Sequence, residues 1–439
     1  MRTLFFTFLI TALSLVPFSL VAAEGHEMSA LSVAGMGDLT LDQAIAAAIQ
    51  RNPTLLAATY GLSAAEGRVE QAGLLPNPGF SLESENFGGN GALDGFNAAE
   101  TTAVISQEFV LGGKRKRRRA VAESEQRLAG RNLEAARLDL MTRTTSAYYR
   151  VVTAQEREAL AEELLALADR FARTVQARVD AGKVSPVEAT RAGIEVAQAR
   201  VRYARAGRDL QAARTRLAAT WGSTTAVFDR AIGELPKPTP PPPLEQLRPL
   251  LLQTPEMGRL DELIERSENI LEVEQSFRIP NLTVSLGPRW FEETGHSAWV
   301  AGISLPVPIF DRNQGARNAA AFDLERTRRD AEAGKISLET ELAAGLQRLS
   351  AAELENETME HDVVPAAKAA FAATELGYTE GKFSFLDVLD AQRALFESRS
   401  LLLDSREEYA LTRTEIERLI GIGHDPTTAQ TAGSQGEDS

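Results

Sequence analysis

The fold is decided by the stretch at residues 377–391, which reads GYTEGKFSFLDVLDA. A second stretch, RVDAGKVSPVEATRA at residues 178–192, aligns with it at a constant offset of 199 residues and without a gap. Each stretch has a glycine followed three residues later by a serine, at Gly182 and Ser185 and at Gly381 and Ser384. Glycine tolerates the positive φ of a helix end, and a serine hydroxyl caps the helix that follows. The sequence therefore predicts a sharp turn between two helices, made twice.

Long helices are predicted on both sides of each turn, over about 112–180 and 186–221 and over about 312–378 and 385–421. At ~1.5 Å per residue, the first of these extends about 100 Å, which is more than a globular core needs. Val388, Leu395 and Leu402 follow one another at intervals of seven residues. This spacing indicates coiled-coil packing against neighbouring helices.

A β-hairpin is predicted upstream of each pair of long helices, over about 79–111 and about 281–309, where apolar and polar residues alternate. A helix over 40–74, which includes Pro53, precedes the first hairpin. The chain thus divides into six segments: a signal peptide (1–23), a flexible N-terminus (24–37), a first repeat (38–235), a Pro-rich linker (236–243), a second repeat (244–421) and a disordered tail (422–439).

Composition and the N-terminus restrict the class of protein. Arg2, an apolar run from Leu4 to Leu20 and small residues at 21–23 are typical of a secretory signal. A membrane anchor is the alternative, and Pro17 argues against it. The 439 residues include no cysteine, which excludes disulfides, thiolate chemistry and lipidation at an N-terminal cysteine. The net charge of −14 argues against nucleic-acid partners.

The alternating strands leave two interpretations open. They could form an ordinary soluble sheet with one buried face, or they could span a membrane as part of a β-barrel. Four strands are too few to close a membrane barrel, whose smallest form has about eight. Two chains would give a narrow, filled barrel, whereas three would give twelve strands with room for a channel. The long helices would continue that channel away from the membrane.

With these features together, the chain resembles the TolC-like outer-membrane efflux proteins of Gram-negative bacteria over about residues 38–421. The match is most specific at residues 377–391, since Gly-x-x-Ser-x-x-Asp-Val-Leu-Asp-Ala marks the inner tip of such channels. Residues 75–78, 85–89 and 111–115 resemble the cobalt–zinc–cadmium resistance subgroup. The resemblance implies a mainly α fold with a β-barrel share: a homotrimer with a twelve-stranded barrel in the outer membrane and a long periplasmic α-helical barrel. Its implied partners are a periplasmic adaptor (membrane fusion) protein and an inner-membrane transporter of the resistance–nodulation–division (RND) type.

A gate is predicted just above the second turn. Asp387 and Asp390 are three residues apart and share a helix face, which continues through a small and acidic strip: Ala394, Glu397, Ser398, Asp404 and Ser405. Threefold symmetry would turn each aspartate into a ring that attracts cations. The resemblance places the constriction at these aspartates and a gate tyrosine at Tyr378. A basic residue common in the family is replaced by Phe383, and we expect Arg191 to pair with an acidic neighbour instead.

Two surfaces are predicted to contact partners. At the tips, Gly182, Val184, Ser185, Gly381, Phe383 and Ser384 are expected to meet the adaptor, with Val184 and Phe383 as exposed apolar contacts. At the membrane rim, a basic collar is expected to face lipid phosphates: Lys114, Arg115, Lys116 and Arg117, with Arg312 and Arg317 at the matching place in the second repeat. The export signal and the acidic net charge argue against a nucleic-acid role for this basic run.

Two other classes of protein share some of these features. An enzyme could use Asp387 and Asp390 as an acid–base pair, but no pocket-forming pattern accompanies them, and the four histidines are scattered. No cofactor and no metal site are therefore predicted. A periplasmic coiled-coil structural protein explains the helices but not the hairpins. Heavy-metal cations are the expected substrate, with drugs or other small molecules as the alternative.

Overall fold

The computed structural model describes residues 37–423. The predicted signal peptide, the N-terminus up to residue 36 and the tail from residue 424 lie outside the described residues. None of the helices in residues 37–423 combines the length and the apolar character that a membrane-crossing helix requires.

The first half contains two short helices, a β-hairpin and two long helices joined by a turn. Its elements are β1 (Asp38–Leu39), α1 (Leu41–Arg51), α2 (Pro53–Gly73), β2 (Gly79–Glu85), β3 (Glu100–Phe109), α3 (Lys114–Asp180), α4 (Pro186–Ala219) and β4 (Arg230–Ala231). With 67 residues, α3 is about 100 Å long. It packs against α1, α2 and α4, and against two helices of the second half, Pro255–Ser276 and Phe385–Leu419, and so connects both halves of the molecule.

The second half repeats this plan. Its elements are α5 (Leu244–Leu251), α6 (Pro255–Ser276), β5 (Leu282–Phe291), β6 (His296–Ser304), α7 (Gln314–Thr358), α8 (Val364–Thr379) and α9 (Phe385–Leu419). The Pro-rich segment between the halves runs over α9, where Thr239 N donates a hydrogen bond to Tyr409 Oη at 3.0 Å. The linker is thus fastened to the core of the second half.

Two of the predicted helices are interrupted, in each case beside a proline. The segment 40–74 divides at Asn52, whose Oδ1 accepts hydrogen bonds from Thr54 N and Leu55 N and so caps α2, with Pro53 as its first residue. The segment 312–378 is divided by a π-helical turn at Met359–Val363. Pro365 follows directly; a proline lacks the N–H of the regular ladder and its ring crowds the carbonyl four residues earlier, which a wider turn accommodates.

The two hairpins join into one antiparallel sheet in the order β2-β3-β5-β6. The junction is β3 with β5, where Ile105 lies opposite Leu286. Within the described chain the outer edges of β2 and β6 have no strand partner. One face of the sheet is polar, whereas the other carries exposed apolar side chains: Phe80, Leu82, Ile105, Leu286, Trp299 and Ile303. The sheet therefore has two open edges and an uncovered apolar face.

One glycine fixes the spacing of the junction between the hairpins. A Cβ added at Gly287 would lie 1.8 Å from the backbone oxygen of Ala103 on β3. No side-chain movement relieves a clash with backbone, so only glycine allows the two strands to approach this closely.

Candidate functional site at the helical tips and the strand rim

The two turns have the predicted local structure. Gly182 and Gly381 adopt φ values of 68° and 78°, in the left-handed region that favours glycine. Ser185 caps α4, and Ser384 caps α9 through a capping box with Asp387. The capping roles predicted for these residues are confirmed, and they hold α3–α4 and α8–α9 as two hairpins that end side by side.

The helical hairpin α8–α9 is held to the helical hairpin α3–α4 by Tyr378, whose side chain is 2% exposed. The guanidinium of Arg178 lies over its ring, 4.3 Å from the centroid, and donates a hydrogen bond to its backbone oxygen at 2.6 Å. The phenol donates to Glu188 Oε2 at 3.3 Å. The rings of Phe171 and Phe385 pack beside it, at centroid distances of 5.3 and 6.3 Å. We call Arg178, Tyr378 and Glu188 the tip clasp, because they join three helices: α3, α8 and α4.

Burial is the main cause that raises the pKa of the Tyr378 phenol, and the nearby Arg178 partly offsets it. The phenol is therefore protonated at neutral pH and acts as a hydrogen-bond donor to Glu188. The clasp thus combines a cation over an aromatic face with a neutral donor on a carboxylate, which is a stable arrangement in a partly dry environment.

Above the tip clasp, ion pairs join α9 to the helical hairpin α3–α4 at three places along α9. Arg393 pairs with Glu195 on α4. Arg399 pairs with Glu163 on α3 at 2.7 Å. Arg157 of α3 then contacts both Asp404 and Glu407, at 2.6 and 2.7 Å. Several of these side chains are partly exposed, so each pair contributes little alone, about 0–1 kcal/mol.

The predicted gate residues lie where α9 leaves the turn, and they differ in their contacts. Asp387 Oδ2 accepts hydrogen bonds from Ser384 Oγ at 2.8 Å and Ser384 N at 2.7 Å, which lower the pKa of Asp387. Asp390 is exposed on the same face and makes no hydrogen bond or ion pair within the described chain. Asp387 therefore has a structural task in addition to any role in a gate, whereas Asp390 is available for one.

The acidic strip above these residues is narrower than predicted. Ala394 and Glu397 are exposed, but Ser398 and Ser405 are buried, with Ser398 donating to a backbone oxygen and Ser405 bonded to Asn356. The prediction that Ser398 and Ser405 belong to an exposed strip is wrong, because their hydroxyls form hydrogen bonds within the packed helices. Arg191 has no acidic partner in residues 37–423, so the expected pairing is also wrong within one chain.

The apolar residues at the tips are exposed to different degrees. Phe383 is 47% exposed, whereas Val184 is half-buried. The Phe383 ring packs directly on Gly377, where an added Cβ would lie 2.1 Å from ring carbon Cδ2. Leu386 and Val187, one on each hairpin, are exposed close by. The described tips thus present an apolar surface of four side chains, larger than the two predicted.

The strand rim carries the basic run, and the structure divides it. Arg115, Lys116 and Arg312 are exposed, whereas Arg117 donates to the backbone oxygen of Gly112, at 2.5 Å, and Arg317 is half-buried. Lys114 is only 5% exposed, and its Nζ donates to Asn281 Oδ1 at 2.6 Å. Burial lowers the pKa of Lys114. The expectation that Lys114 faces lipid phosphates is therefore wrong, since its side chain turns into the junction between sheet and helix.

The exposed cations of this run occupy an unfavourable place for a helix. Positive charge at a helix N-terminus opposes the helix dipole, at a cost of about 0.3–1 kcal/mol for each charge near the end. The run begins at the first residue of α3, and its first turn has no acidic residue. Helix stability does not explain these side chains, which favours an external anionic partner.

Sequence reasoning missed Arg178, Gly377 and the aromatic pair of Phe171 and Phe385. A signal was available, because the offset of 199 aligns Arg178 with Gly377, so the repeat is broken at the clasp. Elsewhere in the described residues, no group of three or more His, Asp or Glu side chains is arranged to hold a metal ion.

Comparison with known proteins places the chain in a family. The outer membrane efflux protein family matches residues 44–223 and 251–422. The cobalt-zinc-cadmium resistance protein CzcC of Cupriavidus metallidurans is 35% identical, covering 88% of this chain and 90% of that protein. The nickel-cobalt-cadmium resistance protein NccC of Alcaligenes xylosoxydans xylosoxydans is 28% identical, over 74% of this chain and 72% of that protein.

The fold is shared with solved outer-membrane channels. The CmeC outer membrane channel of Campylobacter jejuni superposes with a TM-score of 0.75 at 17% identity, covering 90% of this chain and 89% of that one. The predicted fold class, mainly α with a sheet that forms a share of a barrel, is thereby confirmed. Members of the family are efflux ducts and not enzymes, as the sequence predicted. This chain belongs to the outer membrane efflux protein family.

Proposed function

We propose that the chain forms a homotrimeric exit duct in the outer membrane, as part of a tripartite RND-type system that exports heavy-metal cations. The observation that carries the assembly is the open sheet with two unpaired edges, β2 and β6. In an antiparallel sheet of four strands the two edges run in opposite directions, so β6 of one copy can pair with β2 of the next. Three copies close a ring of twelve strands, with the apolar face outward in lipid.

The polar face of the sheet would then line the pore. Glu83, Glu85, Glu100 and Glu108 lie on that face, and Arg289 contacts Glu85 and Glu100, at 3.6 and 3.1 Å. One cation among four carboxylates leaves the face acidic. Such a wall favours the passage of cations over anions.

The exposed cations at the rim support the membrane position. Arg115, Lys116 and Arg312 are placed at the ends of strands whose apolar face is uncovered, where lipid phosphates would meet them. A contact with lipid phosphates would offset the unfavourable interaction between this positive charge and the helix dipole at the start of α3.

At the opposite end, the tips would dock on a periplasmic adaptor, which joins the duct to an inner-membrane RND transporter. Phe383, Val187 and Leu386, with the half-buried Val184, form an apolar surface that the described residues leave partly uncovered. Gly182, Ser185, Gly381 and Ser384 shape the turns that present it. Asp390 would form an acidic ring at the constriction, and Asp387 would form a second one through the carboxylate oxygen that does not bond Ser384. The tip clasp around Tyr378 would hold the constriction closed.

We expect Val184→Asp with Phe383→Asp to abolish site-specific crosslinking between the tips and the adaptor, because two buried charges per subunit would have to be desolvated in an apolar contact. Trimers should remain intact on gels. Val227→Asp, an exposed valine away from the tips, is the matched control and should crosslink normally. Unchanged crosslinking in the double variant would rule out the contact.

Heavy metals are favoured as substrates by the two metal-resistance relatives and by the acidic polar face of the sheet. We expect deletion of the gene to lower the host's tolerance of Co²⁺, Zn²⁺ or Cd²⁺ several-fold, and plasmid-borne wild type to restore it. Loss of tolerance to hydrophobic drugs with unchanged metal tolerance would instead indicate a drug duct. If the chain is recovered as a water-soluble periplasmic monomer, the duct itself is refuted.

A further inference from the structure

A cavity of about 620 Å³ lies between the Pro-rich linker and the π-helical turn, and we call it the linker cavity. Its walls come from α3, from residues 234–238, from α7 with the π-helical turn, and from α9. Small-molecule sites have volumes of about 300–1,000 Å³, and π-helical turns are frequent at functional sites. The linker cavity is separate from the tip clasp and from the strand rim, and none of the tasks described above uses it.

The lining of the linker cavity is acidic. Its charged side chains are two cations, Lys237 and Arg406, and five carboxylates: Glu156, Glu234, Glu353, Glu357 and Glu360. Arg406 pairs with Glu360 at 3.1 Å, and the other four carboxylates form no hydrogen bond or ion pair with a described residue. With His361 of the same lining neutral, the cavity has a net charge of −3. Carboxylates of like charge repel one another, so a cationic ligand would be attracted.

A buried amide oxygen adds an acceptor to the cavity. Asn356 lines it and is only 2% exposed. The hydroxyl of Ser405 donates its single proton to Leu402 O at 3.0 Å, so its oxygen can only accept from Asn356 Nδ2, at 3.2 Å. This contact fixes the orientation of the amide. Asn356 Oδ1 then accepts no hydrogen bond from any described residue, which is costly for a buried acceptor, and a ligand with N–H donors would satisfy it.

The lining also distinguishes between kinds of cation. In residues 37–423 no group of three or more Asp, Glu or His side chains is arranged to hold a metal ion, so the carboxylates of the cavity are too dispersed to coordinate one. The linker adds apolar surface beside them, at Leu235, Pro236 and Pro238. A linear polyamine has ammonium groups separated by methylene chains. It therefore matches both the dispersed carboxylates and the apolar surface.

We propose that the linker cavity binds a linear organic polyamine, one per subunit. The ammonium groups donate to the unpaired carboxylates and to Asn356 Oδ1, while the methylene chain contacts Leu235 and Pro236. The bound polyamine joins the linker to the π-helical turn, and α8, which carries Tyr378 of the tip clasp, follows this turn directly. All of the binding groups belong to one subunit, so the inference does not depend on the proposed export of metals.

Isothermal titration calorimetry of the purified full-length chain with spermidine tests this. Wild type is expected to saturate at one spermidine per subunit. Glu353→Gln with Glu357→Gln should weaken binding about tenfold, equivalent to ~1.4 kcal/mol, because two unpaired carboxylates are lost. Glu355→Gln with Glu375→Gln removes the same charge from α7 and α8 outside the cavity and should bind as wild type. Asn356→Ala should also weaken binding, and if it fails to fold, the first pair of substitutions still decides.

Equal spermidine binding by wild type and by the variant with Glu353→Gln and Glu357→Gln overturns the proposal. So does displacement of spermidine by Mg²⁺ at the same concentration of charge, which would indicate a general counterion effect. Absence of binding to trimers, as expected if the neighbouring subunit fills the cavity, overturns it as well. Conducting trimers that bind no spermidine refute this inference alone, whereas a chain that binds spermidine but forms no trimer supports it and refutes the proposed duct.

Discussion

Trimers that carry Arg178→Met and Arg393→Met are expected to conduct about tenfold more current in planar bilayers than wild-type trimers. Arg178 is the cation of the tip clasp, and Arg393 joins α9 to Glu195 on α4. The charged hydrogen bond of Arg178 contributes about 1.5–3 kcal/mol and the partly exposed Arg393 pair about 0–1 kcal/mol, and each ~1.4 kcal/mol shifts an equilibrium tenfold. The loss of these contacts in three subunits should therefore release α8 and α9 from the first hairpin and favour the open tip.

The control for this experiment is Arg202→Met. Arg202 contacts Gln198 of its own helix, so Arg202→Met removes one positive charge, where the double variant removes two, without separating two helices. Its trimers should conduct as wild type. Adding Asp390→Ala should reduce block by divalent cations without a further change in opening. Wild-type conductance in the double arginine variant, with intact trimers, would show that the clasp does not hold the tip closed.

Gly287→Ala is expected to remove nearly all heat-modifiable trimer from outer-membrane fractions. The new methyl group would collide with the backbone oxygen of Ala103, so β3 and β5 must separate or lose their register. Overpacking of this kind costs about 1–3 kcal/mol even where side chains can yield, and here the obstacle is backbone. The cost falls on the one strand pair that joins the two halves of the sheet.

Gly315→Ala provides the comparison for this substitution. Gly315 is in α7, and a Cβ at that position meets no atom within 4 Å. Alanine has a higher helix propensity than glycine, so this variant should assemble at least as well as wild type. Normal trimer levels in Gly287→Ala would contradict the close strand approach at Ala103.

The parts that the sequence predicted are those decided by local chemistry. The glycine and serine at each turn determine a left-handed residue and a helix cap, whatever surrounds them, and both turns are present. The family and the fold class were also correct, because the duplicated plan is visible in the spacing of residues along the chain. The interruption at the π-helical turn was missed, because a helix can either kink or widen before a proline and the choice depends on its packing.

The contacts of the site could not be predicted, because they depend on how the helices are rotated against one another. Arg178 and Tyr378 are 200 residues apart in sequence, and the periodicity of each helix does not determine which side chains meet. The same reason explains Lys114, which belongs to a run of six basic residues. Only the position of Asn281, 167 residues away, distinguishes Lys114 from its neighbours.

The unpaired outer strands of the sheet also have a consequence for the order of assembly. Joining two copies satisfies one pair of edges but still leaves two open, the same number that a single copy has. The third copy seals both at once, so the last step forms twice as many strand junctions as the first. In the proposed trimer, ring closure would therefore be cooperative, two-membered intermediates would be sparsely populated, and the stability of each subunit would depend on the concentration of the others.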